Sequence, residues 1–204
     1  MKAFISLLHF AILQSLTRIC GTENTPGTKV TLYYAKKGEF NGWPRTRHEV
    51  VTAAGGTPVA GDTKILDEPF DFSEAPAGMG YWRKVDILVD SGAINAVMEG
   101  ETGGKGIKNM IPFYVLGTNA EQLEFSDSIV AHDGCLVAML GDREGNFRVL
   151  GNPDVPVQVE SIEGGTGTKI GEKRGFAYSL MDNSGKHAPI YDAATHGIDL
   201  VPNP

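Results

Sequence analysis

Tyr81-Trp82-Arg83-Lys84-Val85-Asp86-Ile87-Leu88-Val89-Asp90 is the stretch that sets the fold class. Val85, Ile87 and Val89 fall on one face and Lys84, Asp86 and Asp90 on the other, the period of two expected of a half-buried strand. Ser91-Gly92 turns the chain, and residues 93–99 continue the alternation with Ile94, Ala96 and Met98 on one face. A glycine-rich loop at residues 100–106 leads into another strand over residues 110–116. Working backwards, Val30-Thr31-Leu32-Tyr33-Tyr34 is β-branched and aromatic and reads as a strand. Residues 48–54 fit a short strand. Residues 63–72 alternate around Ile65, Phe70 and Phe72, with Pro69 marking an edge or a bulge. Phe40-Asn41-Gly42-Trp43-Pro44 reads as a loop carrying a large apolar anchor.

Downstream the pattern changes once. Residues 119–132 read as a helix, capped by Thr118 or Asn119, with Glu121, Glu124 and Asp127 near its positive end. Leu123, Ser126, Ile129 and Val130 form its expected inner face, and Gly134 ends it. Residues 135–140 are continuously apolar, which predicts a central strand. Strands are also expected at residues 147–150, around Val155, Val157 and Val159, and at residues 174–181. A second flexible loop is expected at residues 164–171. Asp182-Asn183-Ser184-Gly185 reads as a hairpin turn into residues 188–191. Strands do not alternate with helices, so a parallel α/β sheet is excluded. The expected fold is mainly β: an antiparallel β-barrel or sandwich with one covering α-helix, plus an N-terminal helical arm. Residues 1–20 are the arm and residues 21–204 a single β domain with long loops.

The 204 residues include 18 Lys and Arg against 25 Asp and Glu, a net charge of −7. That balance argues against a general phosphate-binding surface. No apolar run reaches the length of a transmembrane helix, so no membrane partner is expected. Within residues 1–20, Phe4, Ile5, Leu8, Ile12, Leu16 and Ile19 make a helical stripe. His9 interrupts the apolar run and Arg18-Ile19-Cys20 offers no small-residue cleavage site, so a docked amphipathic helix is the preferred reading over a secretory signal. Cys20 and Cys135 are too few for a disulfide framework and read as free thiols.

The sequence offers no positive sign of catalysis, and neither catalytic residues, cofactor-binding residues nor metal ligands are assigned. The loop at residues 100–106 has the wrong glycine spacing for a phosphate loop and no Ser or Thr after Lys105. His9, His48, His132, His187 and His196 lack partners at metal-ligand spacing. Glu68, Asp71, Asp86 and Asp90 could supply a glycosidase pair, but nothing selects one; Asp86 and Asp90 could at most hold calcium weakly. Trp43 and Trp82 read as loop anchors rather than stacking platforms. No cofactor is expected.

Ile19-Cys20-Gly21, Pro26-Gly27-Thr28-Lys29-Val30-Thr31-Leu32-Tyr33-Tyr34 and Trp43-Pro44 resemble the start of tail-tube-like ring proteins of tailed bacteriophages, especially those of Bacteroidetes hosts. The paired strands through residue 99, the glycine loop, the strand at 110–116 and the helix from Asn119 are similar as well. So is Phe147-Arg148-Val149-Leu150-Gly151-Asn152-Pro153. The resemblance covers most of residues 19–192 and implies a virion structural protein, not an enzyme. Its copies would form homo-oligomeric rings of the tail tube or of a head–tail barrel, next to other tail or connector proteins. Genomic DNA would pass without tight binding, and assembly would take place in the host cytoplasm. No functional residues carry over, because the family has no catalytic motif. If residues 1–20 were instead a signal, the chain would be a secreted or surface-anchored bacterial β-sandwich binding module.

Overall fold

The apolar run after Gly134 forms β6 (Leu136–Asp142), and its first six residues are buried. The computed structural model describes residues 27–167 and 172–201. The expected helix at residues 1–20, with His9 and Cys20, lies outside them, as does part of the second glycine loop. Because strand side chains alternate, Leu136, Ala138 and Leu140 of β6 join one apolar cluster while Val137 and Met139 join another. β6 is flanked by β1 (Thr28–Lys36) and β7 (Phe147–Leu150). A six-stranded sheet extends outwards from them, in the order β2 (Ile65–Leu66), β10 (Ile190–Tyr191), β7, β6, β1 and β3 (Arg83–Asp86). β10 and β2 run parallel, so this sheet is mixed, against the antiparallel expectation.

The second sheet has four strands in the order β4 (Asn95–Glu99), β5 (Gly106–Leu116), β9 (Gly175–Asp182) and β8 (Gln158–Gly165). Every pairing in it is antiparallel. Ile111, Phe113 and Val115 of β5 and Tyr178 and Leu180 of β9 meet Leu32, Leu136, Ala138, Leu140 and Leu150 of the first sheet in one cluster. Gly175, at φ 150°, lies where β9 runs close against β5; a Cβ there would stand 2.2 Å from the Val115 carbonyl oxygen. The two sheets do not close into a barrel among the described residues.

Helix α2 (Ala120–Ala131) forms as the sequence predicts, with the Asn119 side chain accepting from the Gln122 N–H. Its inner face differs from the expected one. Gln122, Phe125, Ser126 and Ile129 turn inwards, while Leu123 and Val130 are exposed. The Ser126 hydroxyl lies 2.6 Å from the Tyr178 hydroxyl, and Phe125 sits edge-on to Tyr34 and Tyr178. These contacts decide the rotation of a helix whose apolar residues do not line up along one arc.

Five further expectations are corrected. Residues 48–54 are not a strand. They lie in helix α1 (Arg47–Ala53), started by a capping box in which Thr46 and Glu49 bond each other's backbone N–H groups. The stretch at 63–72 pairs only over Ile65–Leu66, yet Phe70 and Phe72 are buried without strand geometry. The strand expected over 81–90 stops at Asp86; Asp90 has φ 59°, and Val89 is exposed. Finally, residues 182–185 are no hairpin turn, because β10 pairs with β7 and β2 and not with β9. The expectation of one internal helix also falls short, since α3 (Ala193–His196) adds a third among the described residues.

The segments between β1 and β3 are thus supported within the chain. Phe40, Phe70, Phe72, Trp82 and Tyr191 stack over the outer face of the six-stranded sheet, with ring centroids 4.9 to 6.2 Å apart. Arg83 grips the buried Glu39 with two hydrogen bonds of 2.9 and 3.0 Å. Both faces of that sheet are therefore covered.

Candidate assembly surface

The four-stranded sheet is built differently. Its inner face is closed except at β4, while among the described residues nothing covers its outer face or pairs with either of its edges. Residues opposite each other in an antiparallel pair point to the same side. The register therefore puts Asn95, Val97 and Glu99 of β4 outwards with Lys108 and Met110 of β5. Pro112 and Tyr114 follow on β5, and Ala177, Ser179 and Met181 on β9. The outward charges on the strands are Glu99, Glu160 and Glu163 against Lys108, a negative balance. Lys108 Nζ lies 2.7 Å from Glu160 and 3.8 Å from Glu99, reaching across β9 to bind β8. Glu160 also accepts from the Ser179 hydroxyl at 2.7 Å. Lysine first, and then the hydroxyl, holds the Glu160 carboxyl below its ordinary range.

All five residues of β4 are exposed. Among the described residues the strand pairs with β5 on one side and with nothing on the other. Its inward-pointing residues are left over too. Ala96 and Met98 share the face of Asn109 and Ile107, yet Ala96 is exposed and Met98 is 61% exposed. Beside this face lies a groove of about 920 Å³, lined by Ile94, Ala96, Asn109, Arg148, Ala188 and Ile190 among others. β8 is the opposite edge. Its Val159 N–H is occupied by the Asp133 carboxylate at 2.7 Å, so among the described residues the unpaired part of that edge is residues 160–165.

A buried polar knot fixes the passage of the chain from the four-stranded sheet to the six-stranded one. Asp182, 2% exposed, accepts from Asn109 Nδ2, from the Gly151 N–H and from the Ser184 hydroxyl, each at 2.8 Å. Asn109 also donates to the Lys186 carbonyl at 2.8 Å and accepts from the Ala188 N–H at 3.0 Å. Sequence reading missed both residues as structural determinants. The only local signal was an Asp opening a turn-like tetrapeptide, and Asn109 lies 73 residues away.

The carboxylates weighed as candidates do not converge. Glu68 pairs with Arg45, Asp71 accepts from Asn41 and the Ser73 N–H, Asp86 accepts from Thr31, and Asp90 pairs with Arg143. Trp82 is buried in the aromatic layer, and Trp43 packs edge-on to Phe40 and Phe70. His132 lies 2.8 Å from the Ser128 carbonyl, and the His196 ring stacks on Tyr191. Burial pushes the Tyr191 hydroxyl up to about 12. Among the described residues no three His, Cys, Asp or Glu side chains gather as metal ligands, and no helix is long and apolar enough to cross a membrane. Cys135 is exposed. In comparisons with known proteins, no family model, no curated protein and no solved structure matches the chain.

Proposed function

We propose that the protein is a structural subunit of a phage tail, whose copies close into rings that stack into a tube or connecting barrel for passage of the genome. One observation carries this reading. The four-stranded sheet alternates in direction from β4 to β8, so its two open edges run in opposite senses. When copies are related by rotation about an axis along the strands, β4 of one copy meets β8 of the next as an antiparallel pair. Alternation then continues round the ring for any number of copies, and no edge remains. Head-to-tail contacts of this kind close when the rotation divides a full turn, and closure removes the aggregation hazard of open edges. Of the two folds expected, barrel or sandwich, the sandwich belongs in this reading to the single chain and the barrel to the ring.

The outer face of the sheet becomes the inner wall. Its three strand carboxylates outnumber Lys108 and Lys173, whose ammonium lies over the Tyr114 ring, and the negative balance repels DNA phosphates, so a duplex slides along it without sticking. The partners are further copies of the chain and neighbouring tail or connector proteins. The resemblance at residues 26–34 and 147–153 supports the same reading.

Negative-stain microscopy and sedimentation of the concentrated protein test it. Rings or short tubes are expected, together with negligible binding of duplex DNA even at low salt. A monodisperse monomer, with no ring at any concentration, overturns the ring. Tight DNA binding that falls steeply with salt overturns the sliding wall. An intact mass lacking about twenty N-terminal residues, the length of a secretory signal, would turn the assignment to a secreted β module.

A further inference from the structure

If β4 meets β8 of a neighbour, the contact cannot end at the backbone. The side chains flanking those two edges must also find partners, and the structure leaves apolar ones uncovered on each side. On the β4 side these are Ala96 and Met98, which point to the core side of the sheet and yet stay exposed.

On the β8 side they belong to α2. At 100° per residue, the inward face of this helix is centred between Phe125 and Gln122. One flank faces β1 and β3: Glu121, Gln122 and Phe125 line a cavity of about 550 Å³ with Tyr34, Val85 and Leu88. Ser128 and His132 lie on the same flank, beside Tyr34 and Arg83. Leu123 and Val130 occupy the opposite flank, 48% and 56% exposed. That flank faces β8, to which the end of the helix is tied by Asp133 and by the Gly134 N–H on the Val157 carbonyl.

We propose that Leu123 and Val130 of α2 are the seat for Ala96 and Met98 of the next copy's β4. The proposal rests on the ring reading and adds to it a side-chain contact that fixes the partner. The spacings agree. Leu123 and Val130 are separated by about 10 Å along the helix at 1.5 Å per residue, and Ala96 and Met98 by about 7 Å along the strand. β4 is five residues long, and the free edge of β8 offers six positions, 160–165. With Glu99 near the start of that free edge, Met98 comes over the helix between Leu123 and Val130. In the assembled ring this contact covers four apolar side chains that are exposed among the described residues, which gives β-strand addition the specificity that backbone hydrogen bonds alone lack.

Disulfide trapping in the full chain carrying Cys20→Ser and Cys135→Ser tests the contact. Two double variants are compared, Met98→Cys with Leu123→Cys and Met98→Cys with Val130→Cys. Mild oxidation is expected to give a ladder of covalent dimers, trimers and larger bands from at least one of them, with rings visible by negative stain. Rings without any ladder in either variant overturn the contact and leave the ring reading standing. No rings in the Cys20→Ser, Cys135→Ser parent overturns both. Charge exchange gives an independent readout. Met98→Lys and Val130→Glu should each abolish rings while circular dichroism stays that of the parent, and the double variant should recover them. Rings in both single variants would overturn the contact.

Discussion

The two sheets are made from similar strands but finished differently. In the six-stranded sheet, β6 is buried on both faces, because the opposing sheet covers one and the aromatic layer of residues 40–82 covers the other. In the four-stranded sheet, β5 and β9 bury alternate residues only, and β4 buries none. The first is completed by its own chain. Among the described residues the second presents two unpaired backbone edges and a negative face, the features on which the ring proposal rests. Stability should therefore reside in the first sheet and assembly in the second, and substitutions can separate the two.

The largest effect is expected from Trp82→Ala. Trp82 is 2% exposed and touches Phe40, Phe70 and Phe72, so its loss leaves a large cavity and should cost about 3–5 kcal/mol. Urea unfolding measures this; a loss below about 1 kcal/mol, the level of an ordinary surface change, would show that the aromatic layer does not stabilise the sheet beneath it. Asp182→Ala comes next, at about 3 kcal/mol. It strips partners from the buried Asn109 amide and from the Gly151 N–H, and a buried polar group left unpaired keeps its full desolvation cost. The same unfolding experiment reads it, and an unchanged midpoint would mean that the passage between the sheets is held by apolar packing alone.

Ala96→Pro should do the reverse. The hydrogen bond from the Ala93 N–H to the Pro112 carbonyl sets the ladder so that the Ala96 N–H points to the open edge. β4 contributes no buried side chain, so the monomer should lose only about 1–2 kcal/mol, whereas a proline at this position removes an edge donor and blocks strand addition. Light scattering should show assembly lost with the melting transition largely kept. Assembly at the parent level would place the subunit contact elsewhere.

The smallest effect concerns pH. Hydrogen bonds from Thr46, Arg45, Ser73, Lys108 and Thr195 hold Glu49, Glu68, Asp71, Glu160 and Asp192, in that order, below their ordinary values. Because the folded values are lowered, the stabilisation is present above the ordinary carboxylate range and is lost as pH falls through it, below about pH 4.5. Each group is largely solvated, so the slope should be shallow. Glu160→Gln removes the one of these groups that lies on the four-stranded sheet. Thermal melts from pH 3 to 7 should become slightly flatter in that variant, and an identical profile would deny the Lys108 bridge a part in joining β5 to β8.

The sequence by itself determined the class and most of the strands. The strands expected at residues 30–34, 110–116, 147–150 and 174–181 and the apolar run at 135–140 fall on pairing segments of the structure. It also determined α2, because a capping Asn119 and early carboxylates act through backbone groups close in sequence. Where short-range signals competed, the reading failed. At residues 46–49 the capping box outweighed the β-branched Val50 and Val51, and around Phe70 and Phe72 burial came from side chains without a strand. Only the tertiary structure decided which strands are edges, which flank of α2 stays in water, and that residues 182–188 cross between sheets. Those outcomes depend on partners dozens of residues apart, such as Ser126 on Tyr178 and Asn109 on Asp182. A strand has the same alternation whether its backbone bonds are met on one side or on two, so the open edges of β4 and β8 leave no trace in the pattern of residues.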